Sequence, residues 1–130
     1  VIQGRQPMKL HSYWDGALEL PMSYDNVQAT VASLATRPPV PPEQLAQLAR
    51  QQNIETWVEE SYRLAAKHAY LDGTLQLAPW REEYNAPEAV ADSNVPVLPE
   101  SVKSTVRMIY RQRLAIAGAR LARQLRELFP

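Results

Sequence analysis

Eleven prolines in 130 residues decide where this chain can and cannot be regular. Each proline holds its own φ near about −65°, lacks an amide N–H and biases the residue before it away from helix. A helix therefore tolerates one only in its first turn. The prolines are unevenly placed. Arg37-Pro38-Pro39-Val40-Pro41-Pro42 reads as a stiff extended connector, and Pro79, Pro87, Pro96 and Pro99 crowd a second irregular stretch. In the segments between, apolar residues recur at intervals of three and four, and no run alternates as a strand would. The chain is expected to be all-α, a helical bundle with a Pro-rich connector and one long irregular loop.

The helices can be placed from their punctuation. A short one is expected from about Leu10 to Leu18, ending before Pro21. The next runs from about Tyr24 to Ala35, with Ser23 as its cap and Val27, Val31 and Leu34 on one side. The proline connector follows. It could pass for a domain linker or a polyproline ligand, but the helices on both sides look like parts of one bundle, which makes it a rigid surface loop. A helix from about Pro42 to Gln51 has proline in its first turn. Asn53 then caps a longer helix through Leu71, stopped by Asp72-Gly73. Gly73 to Pro99 reads as a loop packed by its aromatics, with one short helix near Trp80 to Tyr84. The last helix spans about Glu100 to Leu128 and is expected to bury Val102, Val106, Ile109, Tyr110, Leu114, Ala117, Leu121, Leu125 and Leu128.

Composition narrows the class. A length of 130 residues and a 45% hydrophobic content suit one domain or part of one, with a core. No apolar run approaches the roughly 20 residues needed to cross a bilayer. There is no cysteine, hence no disulfide framework. The formal net charge is zero, so the chain as a whole has no bias toward nucleic acid. Seven basic residues fall between Glu100 and Pro130, namely Lys103, Arg107, Arg111, Arg113, Arg120, Arg123 and Arg126, against Glu100 and Glu127. On a helical wheel they spread over a wide arc, which favours a solvated helix over a phosphate-binding stripe.

One pair carries chemistry. His11 and Asp15 stand four apart, and at helical spacing an imidazole and a carboxylate so placed lie one above the other, within reach of a single metal ion. Zinc accepts both donors, but a catalytic zinc takes three protein ligands and an open position. The one further histidine, His68, shares a face with Trp57, Ser61, Leu64 and Leu71 and is read as a packed residue.

The surroundings of the pair sharpen it. Leu10-His11-Ser12-Tyr13-Trp14-Asp15 resembles the Asn-Leu-His-x-x-Trp-Asp motif of the S1/P1 nuclease family, three-zinc phosphodiesterases related to bacterial phospholipase C. Trp57-Val58-Glu59-Glu60-Ser61, with Ala69-Tyr70 beyond it, resembles the family's Trp-x-x-Glu-Ser helix. Ala117-Gly118-Ala119-Arg120-Leu121-Ala122 is similar to its terminal Ala-Gly-x-Arg-Leu-Ala helix. The three stand in the family's order. Lys9 departs from it, at a position where asparagine is common. The resemblance covers the C-terminal half of the family, so residues 1–130 are expected to be the C-terminal portion of a single zinc nuclease-like helical domain.

The resemblance implies a cofactor, a substrate and a setting. The complete protein is expected to hold three zinc ions, one of them partly through His11 and Asp15, with no general acid or base supplied by this stretch. Glu60 or Ser61 is expected to orient a metal ligand from behind, since metal-bound histidines donate their second ring N–H to such acceptors. Packing is the stronger reading for both Tyr13 and Trp14, with Trp14 as core and Tyr13 the one that could edge the substrate cleft and stack a base. The substrate class implied is single-stranded DNA or RNA, cut to 5′-nucleotides, with 3′-nucleotidase activity alongside. The missing N-terminal half is the implied partner, and a secreted or periplasmic setting the implied location. Two other readings remain: a phospholipase C-like phosphoester hydrolase on the same scaffold, and a non-catalytic helical interaction module or inactive fragment in which His11 and Asp15 are ordinary helix residues.

Overall fold

The computed structural model describes residues 2–3, 6–7, 9–16, 23–76 and 97–130. In chain order the elements are β1 (Ile2–Gln3), β2 (Gln6–Pro7), α1 (Leu10–Asp15), α2 (Tyr24–Thr36), α3 (Pro42–Ala49), α4 (Ile54–Leu64) and α5 (Glu100–Leu128). The protein is all-α. Among the described residues β1 and β2 form a short antiparallel ladder, in which Ile2 pairs with Pro7 and Gln3 with Gln6. The chain divides into two units, Val1–Ala17 with Glu60–Val106 and Leu18–Glu59 with Arg107–Pro130.

In the second of these units the helix starts are set by side chains. Ser23 accepts the Asn26 amide at 3.2 Å and opens α2, which removes one of the four amides left without a partner at a helix N-terminus. Pro42 takes the first position of α3, where a missing N–H is harmless. Asn53 Oδ1 accepts from the Glu55 amide at 2.7 Å and the Thr56 amide at 3.4 Å, and opens α4. The proline connector lies within one unit, so it is a strap and not a domain linker. Its Val40 is buried. Arg111 of α5 donates to Ser33 Oγ at 3.2 Å and to the Arg37 carbonyl at 3.5 Å, and Gln112 donates to the Pro39 carbonyl at 3.5 Å.

The C-terminus of α3 is where this unit is most tightly tied. Arg120, 5% exposed, donates from Nε to the Leu48 carbonyl at 3.3 Å. The Trp57 indole N–H donates to the Gln51 carbonyl at 2.7 Å, and the Arg120 guanidinium lies over the same indole, 4.9 Å from its centre. Gln124 donates to Gln52 Oε1 at 3.2 Å, and Gln52 donates onward to the Ala49 carbonyl at 3.3 Å. A helix leaves its last carbonyls unpaired and carries partial negative charge there, so a buried cation and two amides are well placed at that end. The expectation of solvated arginines along the last helix does not hold for Arg111 or Arg120.

The burial pattern of α5 corrects a second expectation. Val106, Ile109 and Ile116 are buried, but Leu114, Leu121, Leu125 and Leu128 are exposed, and so is Ala117. At about 100° per residue, Ile109, Ile116 and Arg120 fall in one sector of the helix, and the four leucines fall in another roughly 140° away. The sequence merges two stripes. On α2, likewise, Val27 and Val31 are exposed and only Leu34 is half-buried, because the side carrying Ser33 is the one held by α5.

In the other unit, α4 does not run to Leu71 as one regular helix. After Leu64 the backbone widens into a single π turn, Ala65–Ala69, in which the Tyr70 amide reaches back to the Ala65 carbonyl at 3.0 Å. Leu71–Gly73 then forms a 3-10 turn whose three residues all have positive φ: 49° at Leu71, 52° at Asp72 and 82° at Gly73. Glycine suits such a backbone, whereas a leucine there is strained. The stop at Asp72-Gly73 is therefore real, but it is reached through an extra residue per turn. α1 stops at Asp15 with Gly16 in a turn, short of the expected end at Leu18; residues 17–22, the irregular stretch around Pro79, Pro87 and Pro96, and the short helix near Trp80 to Tyr84 lie outside the described residues.

Candidate metal centre

The chain folds α1 so that its two ligand-type side chains share one face. His11 Nε2 lies 3.1 Å from Asp15 Oδ2, with the side chains 87% and 67% exposed. An exposed pair at this spacing adds little to helix stability, and a helix of six residues is not self-supporting. What anchors α1 is Tyr13, buried on the opposite side. Tyr13 sits about 200° round from His11 at 100° per residue, directly across from the pair. A solvent-facing pair thus obliges Tyr13 to face inward. Tyr13 is 7% exposed, as its packing reading requires, and Trp14 is half-buried.

The start of α1 is plain. Lys9 occupies the cap position with extended backbone but makes no side-chain cap bond. Asp15 ends the helix, and the Gly16 amide bonds to the Ser12 carbonyl at 3.0 Å.

Glu60 and Ser61 lie on α4 in the same unit as α1, Glu60 half-buried and Ser61 exposed. Both are engaged in interactions within the protein. Trp57, from the same motif, is bound instead into the α3 terminus beneath Arg120. His68 is half-buried on the π turn.

The imidazole and carboxylate fit zinc by donor chemistry, and their Nε2 and Oδ2 atoms lie 3.1 Å apart. They amount to a pair: among the described residues no group of three or more His, Cys, Asp or Glu could hold a metal ion. Further donors are required for a closed or catalytic site.

The family model for S1/P1 nuclease matches residues 1–130, the whole chain, and the protein belongs to that family. Neither the curated proteins nor the solved structures contain a match to it. Membership makes it a nuclease-type hydrolase of nucleic acid. No helix among the described residues is long and apolar enough to cross a membrane.

Proposed function

We propose that this chain forms part of a zinc-dependent phosphodiesterase that cleaves single-stranded DNA and RNA to 5′-nucleotides and also acts as a 3′-nucleotidase. The whole-chain family match carries this reading. The His11–Asp15 geometry supports it, because both donors meet at 3.1 Å on an open helix face.

In this reading His11 and Asp15 hold one of three zinc ions. When bound, zinc supplies a water acidic enough to react near neutral pH and offsets charge on the phosphate oxygens. The chain's own task is to fix two donors and keep their face open. Tyr13 does this by pinning the far side of α1. Glu60, half-buried on α4, is the candidate to orient a ligand from behind. The remaining donors come from a complementary helical portion, and the exposed stripes on α2 and α5 support a surface made to be covered by one. A secreted or periplasmic setting goes with this reading.

The test is zinc content per chain and hydrolysis of single-stranded DNA, on the native protein and on His11→Ala with Asp15→Ala. Zinc and hydrolysis that fall together support the assignment. Native protein without zinc, or a double variant with unchanged zinc and activity, refutes it. Cleavage of phosphatidylcholine in place of DNA would keep the metal site and replace the substrate.

A further inference from the structure

Two irregularities follow one another at the end of α4, and each is unfavourable by itself. In the π turn Ala65–Ala69 the Tyr70 amide reaches past the Ala66 carbonyl to that of Ala65, at 3.0 Å. Nothing in Ala65-Ala66-Lys67-His68-Ala69 asks for this, since alanine and lysine are strong formers of the regular helix. Immediately beyond, Leu71 and Asp72 stand at φ of 49° and 52°. A residue with a Cβ is disfavoured in that left-handed region by roughly 5- to 30-fold.

Hydrogen bonds gathered on two carbonyls oppose this strain. The Tyr70 carbonyl accepts from the Gly73 amide at 2.9 Å and from the Leu75 amide at 3.2 Å. The Leu71 carbonyl accepts from the Thr74 amide at 3.0 Å and from the Thr74 hydroxyl at 2.6 Å. Each such bond favours the turn by only about 2- to 12-fold, so strain and fastening are of similar size. Packing adds little resistance, because Tyr70, Asp72 and Thr74 are all exposed. Segments held by a few exposed bonds are the ones that open locally.

We propose that the end of α4 is a register switch. In its second state the Tyr70 amide bonds to the Ala66 carbonyl, the extra residue leaves the π turn, and Leu71 and Asp72 join a regular helix. The Thr74 hydroxyl bond is the latch that holds the first state.

The switch decides whether a surface hollow exists. Tyr62 and Tyr70 are eight positions apart, about 80° round a regular helix, but the π turn absorbs one residue and brings them within roughly 20°. The hollow of about 270 Å³ lined by Tyr62, Ala65, Ala66, Tyr70, Asp72 and Gly73 is a product of that alignment. On rewinding, Tyr70 swings about 100° away from Tyr62, and the hollow is lost. The switch is independent of the His11–Asp15 pair, since no residue in it is a candidate metal ligand.

Backbone relaxation dispersion by NMR on the full chain tests this. The native protein should show a minor state of roughly 0.1–10%, confined to residues 65–75, with helical Cα shifts at Leu71 and Asp72. Leu71→Gly relieves the strain of the first state and should lower the minor population roughly 5- to 30-fold. Thr74→Val removes the latch, keeps the side chain's shape and should raise that population roughly 2- to 12-fold. The opposite signs are the signature, because a merely structural lesion would loosen the turn in both variants. Flat dispersion at residues 65–75 in both the native protein and Thr74→Val overturns the proposal. So does a minor state without helical shifts at Leu71 and Asp72, exchange that rises in both variants, or exchange that extends through α1 as well.

Discussion

The Arg120 guanidinium lies 4.9 Å from the centre of the Trp57 indole, and so joins two of the segments that carry the family resemblance. The contact sits over the end of α3, where Arg120 also holds the Leu48 carbonyl and Trp57 holds that of Gln51. One cation and one ring thus fasten three helices. Arg120→Ala should destabilise the fold by about 1–3 kcal/mol, because it removes the charged donor of a part-buried carbonyl and empties the space over the ring. Combined with Trp57→Ala in a double-mutant cycle read by urea denaturation, the coupling should be about 0.5–2 kcal/mol. Additive losses would show that the two residues act separately.

The two apolar stripes of α5 should separate cleanly on mutation. Ile116→Ala creates a cavity and should cost about 2–4 kcal/mol. Leu121→Ala, on the exposed stripe, should cost less than about 1 kcal/mol in the same protein. Equal losses in thermal or urea unfolding would mean that the leucine stripe is covered in solution.

Gly73→Ala isolates backbone conformation from packing. A Cβ at Gly73 meets nothing within 4 Å, yet its φ is +82°. The variant should lose about 1–2 kcal/mol through conformation alone. An unchanged midpoint in urea unfolding would show that the turn relaxes.

Lys9→Asn should firm up the short helix that carries the His11–Asp15 pair. Lys9 holds the cap position without a side-chain bond, and asparagine there should add about 0.5–1 kcal/mol. The gain is local and is best read as slower hydrogen exchange at the His11 and Ser12 amides. No change in exchange would mean that α1 is held entirely by Tyr13.

Much of the helical frame was legible in the sequence, for identifiable reasons. Ser23, Pro42 and Asn53 begin helices by chemistry local to a few residues, and the last helix runs from Glu100 to Leu128 as its periodicity requires. Local signals carry local structure. What could not be read were choices made between elements. Whether Leu121 or Arg120 faces inward depends on which side of α5 the α3 terminus occupies, and both stripes look apolar enough on paper. The π turn is illegible for another reason: Ala65-Ala66-Lys67-His68-Ala69 is ordinary helix-forming sequence, and the extra residue shows only in the hydrogen bond from Tyr70 to Ala65. At the candidate metal pair, spacing alone put His11 and Asp15 on one face. The same arithmetic puts Tyr13 on the other.

The proline strap illustrates how a fold can be indifferent to what it is made of. Its fastenings to α5 are the carbonyls of Arg37 and Pro39, and every amino acid brings a carbonyl. Residues 37 and 39 can therefore drift over generations provided the chain stays extended, whereas Arg111 and Gln112, which supply the donating side chains, have no such latitude. Divergence between relatives should be lopsided, fast on the strap and slow on the helix that grips it.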